Sequence, residues 1–598
     1  MKTLRLALLL AAAFVPAAAP AQQAAPAAAP AQKSEDARFL AFLDAAFDET
    51  VARSPETQTA LGLKTNYGKL DDYTDAGAAA DQALAEAQLK RMKSEFQLDR
   101  LSPASQVSYR LFEYNVEQGR IAQEWRRNNY VVTNNFSIVG SVPTFLMNQH
   151  RVDSVAAAQA YIARIRETER VLKEVTARFR AAAERGVVPP KFVFAPVRAD
   201  AQNVMAGTSL LADFKTKVEK LDAPAATKAK LLADAQAAIA GPYQNGYKTI
   251  LAALDAIEPK AAGNQGVWSL PEGDAYYSAM LGLQTTTPLT GEQIHAIGLA
   301  EVDRIHKEMQ AIMDKIGYKG TLQQFFAELK TNPKYQYSND PAGRAAYLKD
   351  ASAFVDQVMA VSGKYFRQLP KAKLEVRAVE EWRQATAPIA FYNAPAPDGS
   401  RPGIYYVNLS DMRQVLKPQI EGISYHEGAP GHHFQIALAQ ELAGLPKFRR
   451  FGNYGAYAEG WGLYAERLGK EMGFYQEPIS DFGRLSTELW RAVRLVLDSG
   501  MHAKKWTREQ AIEYFKQNSL LSDRDVVKEV ERFLVWPGQA TSYKVGQLKI
   551  LELRAKAQRE LGSRFDLKDF HDVVLGMGPM PLAVLEQQVD AYIAAKKG

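Results

Sequence analysis

From about Asp36 onward, apolar residues recur at three- and four-residue spacing, with charged residues filling the positions between them. The windows 80–96, 155–185, 225–240, 291–316 and 344–366 hold this pattern over several turns, which predicts long amphipathic helices. Ala, Lys, Glu, Gln and Arg, all good helix formers, are abundant in them. Their periods vary, so no solenoid is predicted. The clearest departure lies at 388–410, where Ile389 to Tyr392 and Ile404 to Leu409 read as two short strands around a Pro/Asp/Gly turn. The pattern as a whole predicts a mainly α fold with a small β-hairpin or sheet. The hairpin either binds an extended peptide through main-chain hydrogen bonds or simply stiffens its surroundings.

Met1 to Ala21 does not follow the amphipathic pattern. It has a basic start (Lys2, Arg5), an apolar run from Leu6 to Val15 and an Ala19-Pro20-Ala21 end of A-x-A type. This reads as a signal peptide cleaved between Ala21 and Gln22, which implies a periplasmic or secreted protein. The apolar run is too short to span a bilayer, so no membrane anchor is expected after cleavage. Residues 22–34 read as an Ala/Pro-rich tether with nothing to bury. The remainder divides into an N-terminal helical half, 35–270, and a C-terminal half, 271–598, that carries the candidate chemistry.

The 598 residues include no cysteine, so neither disulfides nor the acylated cysteine of a lipoprotein is expected, and a large core must supply the stability. There are 73 basic and 67 acidic residues; losing Lys2 and Arg5 with the signal peptide lowers the net charge from +6 to +4. For a chain of this size that is close to balance and gives no case for nucleic acid. Nothing in the pattern fixes an oligomeric state.

Three of the eight histidines fall in one segment, His426-Glu427-Gly-Ala-Pro-Gly-His432-His433. Two imidazoles one turn apart on a helix, with a glutamate beside the first, are the donor set of a zinc hydrolase. Here position i+4 is Pro430. If Gly428 and Ala429 are an insertion, His432 takes the place of the second ligand, and His433 remains an alternative. In a regular helix neither reaches: i+6 lies about 120° round from His426, and i+7 lies roughly 10.5 Å further along the axis. The helix is therefore expected to bulge. A site with two histidines needs a third protein ligand, and Glu459 in Tyr457-Ala-Glu-Gly-Trp-Gly-Leu-Tyr-Ala-Glu466 is the candidate. Helices over 432–445 and 454–472, joined by a turn through Gly444, Pro446 and Gly452, would form a hairpin that brings Glu459 to the metal. Glu466 either orients a ligating histidine or is a solvated glutamate.

The H-E-x-x-P-G-H-H-x-Q core followed by E-G-W-G-L-Y-A-E resembles the bacterial "domain of unknown function 885" proteins, relatives of the gluzincin metallopeptidases. The resemblance extends through Asp498-Ser-Gly-Met-His502 and Glu531-Arg532-Phe-Leu-Val-Trp-Pro-Gly-Gln539-Ala-Thr-Ser-Tyr543-Lys544, and upstream through 271–287 and 290–317, covering roughly residues 35 to 595. More distantly the chain is similar to angiotensin-converting enzyme, thimet oligopeptidase and the Taq-type carboxypeptidases. The resemblance implies a large helical zincin-like (neurolysin-like) fold with a deep cleft lined by the hairpin, where Tyr392, Asn393 and Tyr405 would contact substrate. It also implies a glutamate ligand about two dozen residues after the second histidine, in agreement with Glu459, and a downstream tyrosine, Tyr543, donating to the oxyanion, with His502 as the other candidate.

The expected chemistry is zinc-dependent hydrolysis of short peptides by an exopeptidase, a carboxypeptidase or dipeptidase, with one zinc held by His426, His432 and Glu459, and with Glu427 as the general base. Removal of C-terminal residues would require a cation for the free carboxylate, from Arg532 or Lys544, with Gln539 orienting the substrate. His150, His295, His306 and His571 read as structural. The alternatives are a zinc amidase acting on peptidoglycan fragments or other amides, and a non-catalytic helical protein that binds metal or peptide.

Overall fold

The computed structural model describes residues 34–598 apart from positions 136, 382, 383, 385, 386, 398 and 400. The expected signal peptide and residues 22–33 of the expected tether lie outside the described residues. Ser34, assigned above to the tether, instead caps the first helix, Glu35–Ala52, by accepting from the Ala37 N–H. Among the described residues no helix is long and apolar enough to cross a membrane.

The protein is mainly helical, and the long helices fall where the apolar periodicity places them: Asp75–Glu95, Val155–Glu184, Ala225–Ala238, Gly291–Lys315 and Pro341–Ser362. Their starts are set by side-chain caps. Thr74, Ser154 and Asp340 each accept from an N–H of the first turn, and Thr290 with Gln293 forms a reciprocal capping box. The 225–240 pattern runs into a π-helical turn, Ile239–Tyr243, that contains Pro242 and leads into Gln244–Ile257.

In the N-terminal half a large cluster of buried side chains includes Tyr161, Leu172, Phe179, Phe214 and Tyr247. A second cluster draws Leu111 and Ala182 together with Trp461, Tyr464, Ile550 and Phe570, so residues on either side of position 270 share one core. Within it the helices Gly455–Glu471 and Ser542–Leu561 pack on each other. Their backbones touch at Gly460 and Gly546, where a Cβ on either residue would overlap the other helix.

The expected hairpin is present with a partner that local pattern did not reveal. β2 (Ala390–Asn393) pairs antiparallel with β3 (Gly403–Val407), and β1 (Leu374–Ala378) pairs parallel with the other side of β3. The strand expected at 404–409 is thus the centre of a three-stranded sheet of order β1-β3-β2 and has no free edge. A parallel partner has no tight turn to announce it, which is why only the antiparallel pair was legible. A cavity of about 370 Å³ lies between residues of the N-terminal half (Thr59, Gly62, Asn148, Arg151) and Ala396 and Arg401 beyond β2. No residue of the histidine motif lines it, so it is not the cleft expected at the metal.

Buried neutral histidines tie stability to pH. Burial pushes His150 and His571 down to about 3 and His502 down to about 4. The unfolded chain takes up protons near pH 6.5 and the fold does not, so their contribution is complete above pH 6.5 and is lost as pH falls toward 4. Each costs up to about 1.4 kcal/mol per pH unit. Urea midpoints at pH 7.5, 6 and 5 should fall progressively; a constant midpoint would contradict this account.

Candidate metal centre

His426 sits near the C-terminus of the helix Lys417–Glu427, and His432 opens the next helix, His432–Glu441. The helix does not bulge as expected; it breaks. Residues 428–431 leave the helical path, and a Cβ at Gly431 would overlap the carbonyl oxygens of Tyr425 and His426, so only glycine lets the chain double back there. Trp461 Nε1 pins the reversal by donating to Pro430 O at 2.8 Å. Pro430 thus marks a chain break, not a kinked continuation.

The helix Gly455–Glu471 lies across this break and carries Glu459 and Glu466. Glu459 Oε2 is 3.4 Å from His426 Nε2 and 3.4 Å from His432 Nε2. Donor atoms of all three residues lie within 4.8 Å of one another. With zinc bonds of about 2.0–2.1 Å, the edge of a tetrahedral site is about 3.4 Å, so two of the three separations match a common cation. Glu459 Oε2 is buried without a hydrogen-bond partner, which is costly for a carboxylate unless a cation satisfies it. The residues present therefore fit a divalent metal.

Glu466 is buried and acts on His426. His426 Nδ1–H donates to Glu466 Oε1 at 2.8 Å, and Thr487 donates to Glu466 Oε2. This fixes the ring so that Nε2 is the nitrogen that faces Glu459 and is left for a metal. Burial opposes charge on His426, but Glu459 and Glu466 outweigh it and hold its pKa up at about 9. Against the cost of burial, His432 and His426 hold Glu459 well below the usual carboxylate range. The field that favours a proton at His426 equally favours a divalent cation. Burial raises Glu427, with His426 and His432 pulling the other way and Glu459 adding to the rise, so its carboxyl shares the field of the cluster.

His433 is not placed as the second ligand. Tyr392 O–H donates to its Nδ1 at 2.9 Å and its Nε2–H donates to Ala372 O at 3.0 Å, so both ring nitrogens are engaged in joining the helix to the sheet. Tyr405 is fully buried in β3 with its hydroxyl 3.5 Å from that of Tyr347, and Asn393 pairs with Ile404 at the end of β2. Neither Tyr392 nor Tyr405 is therefore free to meet a substrate. His502 is likewise withdrawn: it accepts from Val267 N–H at 3.0 Å and donates to Phe533 O at 3.0 Å in the core.

Lys544 is also a correction. Its ammonium is fully buried, 2.6 Å from Glu488, 2.8 Å from Glu301 and 2.7 Å from Gln547 Oε1, with Arg304 and Arg484 on the same Glu488. It holds the fold and is not open to a substrate carboxylate. Lys544→Met should destabilise the protein by about 3 kcal/mol, the cost of leaving a buried carboxylate short of a partner, read as a lower urea midpoint. An unchanged midpoint would contradict this structural placement of Lys544.

Beyond the His426, His432 and Glu459 cluster stand residues that sequence reasoning missed. Arg491 and Arg494, on the helix Pro478–His502, are buried. The Arg494 guanidinium lies 4.4 Å from the ring centre of Tyr543 and 4.6 Å from that of Trp490. Tyr543 is half-buried; burial and then Glu459 raise its pKa, while Arg494 and Arg532 oppose them. Arg532 bonds Glu529 through Nε and Nη2 at 3.0 and 3.1 Å and reaches Gln539 through Nη1. In the sequence the two arginines fall in the charged stripe of an amphipathic helix, and no local signal sets them apart; only the packing around that helix shows them buried.

No curated protein matches the chain. Several solved chains do, among them the following two. One, described as a "putative lipoprotein" from Colwellia psychrerythraea, is 31% identical with a TM-score of 0.89, covering 94% of this chain and 100% of that one. Another, a "putative lipoprotein of unknown function" from Shewanella oneidensis, is 21% identical with a TM-score of 0.70 over 92% of this chain and 99% of that one, which is a likeness of fold. The sequence profile of the family described as "Bacterial protein of unknown function (DUF885)" matches residues 55–589. The chain therefore belongs to the DUF885 family of bacterial proteins.

Proposed function

We propose that this protein is a zinc metallopeptidase acting on short peptides outside the cytoplasm, with His426, His432 and Glu459 as the metal ligands. The observation that carries the reading is the pair of 3.4 Å separations that converge on the otherwise unpartnered Glu459 Oε2. A bound zinc would supply the Lewis acid that polarises a peptide carbonyl and acidifies a water. Glu427 takes the proton of the attacking water on its carboxylate and returns it to the nitrogen of the leaving amine. Its adjacency to His426 on a buried helix end suits that part, and burial shifts its carboxyl toward the operating pH. Tyr543 donates its O–H to the oxygen of the carbonyl under attack; its raised pKa keeps the hydroxyl protonated as a donor. Glu466 and Thr487 hold His426 in place.

The extracytoplasmic setting is supported by the signal-like start of the sequence and by the two neighbours described as lipoproteins, although this chain has no cysteine to acylate. Two imidazoles and a carboxylate accept several divalent ions; zinc is the one that goes with a glutamate base beside the first histidine, the donor set of a zinc hydrolase. The test is cleavage of a mixed peptide library read by mass spectrometry, with chelator and then with zinc restored. Cleavage that disappears with chelator and returns with zinc supports the reading. Cleavage indifferent to chelator, or none from zinc-loaded protein, overturns it.

A further inference from the structure

We propose that Arg491 and Arg494, with Tyr543 beside them, form an anion pocket that takes the free C-terminal carboxylate of a peptide. The inference rests on the peptidase reading and assigns its substrate class: peptides with an unblocked C-terminus. Arg491 is 6% exposed and Arg494 4%. Arg494 Nε and Nη1 and Arg491 Nε are buried with no hydrogen-bond partner. A guanidinium N–H left unsatisfied in the interior is costly, so these donors call for an acceptor the chain does not supply.

The nearby carboxylate cannot be that acceptor. Glu529 already receives Arg494 Nη2 at 2.8 Å, Arg532 Nε and Nη2 at 3.0 and 3.1 Å, and Trp490 Nε1 at 3.3 Å. Arg494 and Arg532 share this one carboxylate, while Arg491 donates to the carbonyl of Thr487 at 3.2 Å and lies 4.4 Å from the ring centre of Trp490, with no carboxylate among its described hydrogen bonds. The rings of Trp490 and Tyr543 flank Arg494 and fix its plane, which leaves its edges as the binding surface. The pocket also sits beside the candidate chemistry. Arg491 acts electrostatically on His426 and Glu427, and Tyr543 feels both Arg494 and Glu459. A carboxylate held there places the last peptide bonds of a chain at the metal cluster. Arg532, expected from sequence to hold the carboxylate, is engaged by Glu529 and Gln539 and serves to position the pair.

The test is calorimetric binding of acetyl-trialanine and of its C-terminal amide to zinc-loaded full-length Glu427→Gln protein, in which turnover is suppressed. The free acid should bind at least 10-fold more tightly than the amide. Arg494→Met and Arg491→Met should each shrink that ratio toward one by weakening the acid and not the amide. Equal binding of acid and amide overturns the pocket, as does a preference that survives both substitutions. Should a substitution unfold the protein, seen as loss of its thermal transition, the acid–amide ratio in the Glu427→Gln protein decides alone. Failure is separable from that of the peptidase reading: chelator-sensitive cleavage without acid preference removes only the pocket, and acid preference without cleavage removes only the peptidase.

Discussion

Glu427→Gln should lower peptide hydrolysis by a factor of about 10² to 10⁴, the usual contribution of a general acid–base group, while metal content and unfolding midpoint stay near those of the native chain. Glutamine keeps the shape of the side chain but cannot accept the proton of an attacking water. His426, His432 and Glu459, the three residues that converge, are untouched by the change. The same residue sets a pH limit. Burial raises the Glu427 carboxyl, so activity should fall on the acid side as pH drops through that raised value and the base becomes protonated. Steady-state kinetics against pH, beside elemental analysis of both proteins, is the check. Activity of the variant within tenfold of the native protein would remove Glu427 from the chemistry.

Gly462→Ala should weaken metal binding by about 10- to 100-fold, the range seen when the support of a ligating histidine is lost. An added Cβ would stand 2.7 Å from Cε1 of His426 and 2.9 Å from each of its ring nitrogens. The ring cannot retreat, because Glu466 holds Nδ1 at 2.8 Å and His426 is 2% exposed. Overpacking of this kind also costs about 1–3 kcal/mol of stability. Metal retained during dialysis against graded chelator, with thermal unfolding alongside, reads both effects. Unchanged retention would mean that the ring need not stay where it is for binding.

Sequence periodicity was enough for the helical class, because 3.6-residue spacing is a local property that each long helix displays by itself. The pairing of His426 with His432 and Glu459 was also legible, through donor chemistry and the helix–turn–helix that follows. What stayed hidden depends on contacts between distant segments. β1 joins β3 through a parallel pairing with no connecting turn. Lys544 and Arg532 look alike in sequence as free cations near the motif. Only packing shows Lys544 buried against Glu488 and Glu301, and Arg532 engaged by Glu529. Arg491 and Arg494 look like the charged stripe of an amphipathic helix, yet the Pro478–His502 helix is enclosed along nearly its whole length. Pro430 and Gly431 announced a disturbance but not its form, since a bulge and a break call for the same residues.

Elemental analysis of purified native protein and of His432→Ala, prepared together, bears most directly on the convergence of His426, His432 and Glu459. The account expects about one zinc per native chain and its loss in the variant at an unfolding midpoint close to that of metal-stripped native protein. A native protein that takes up no divalent metal, or a variant that keeps it, would contradict the account.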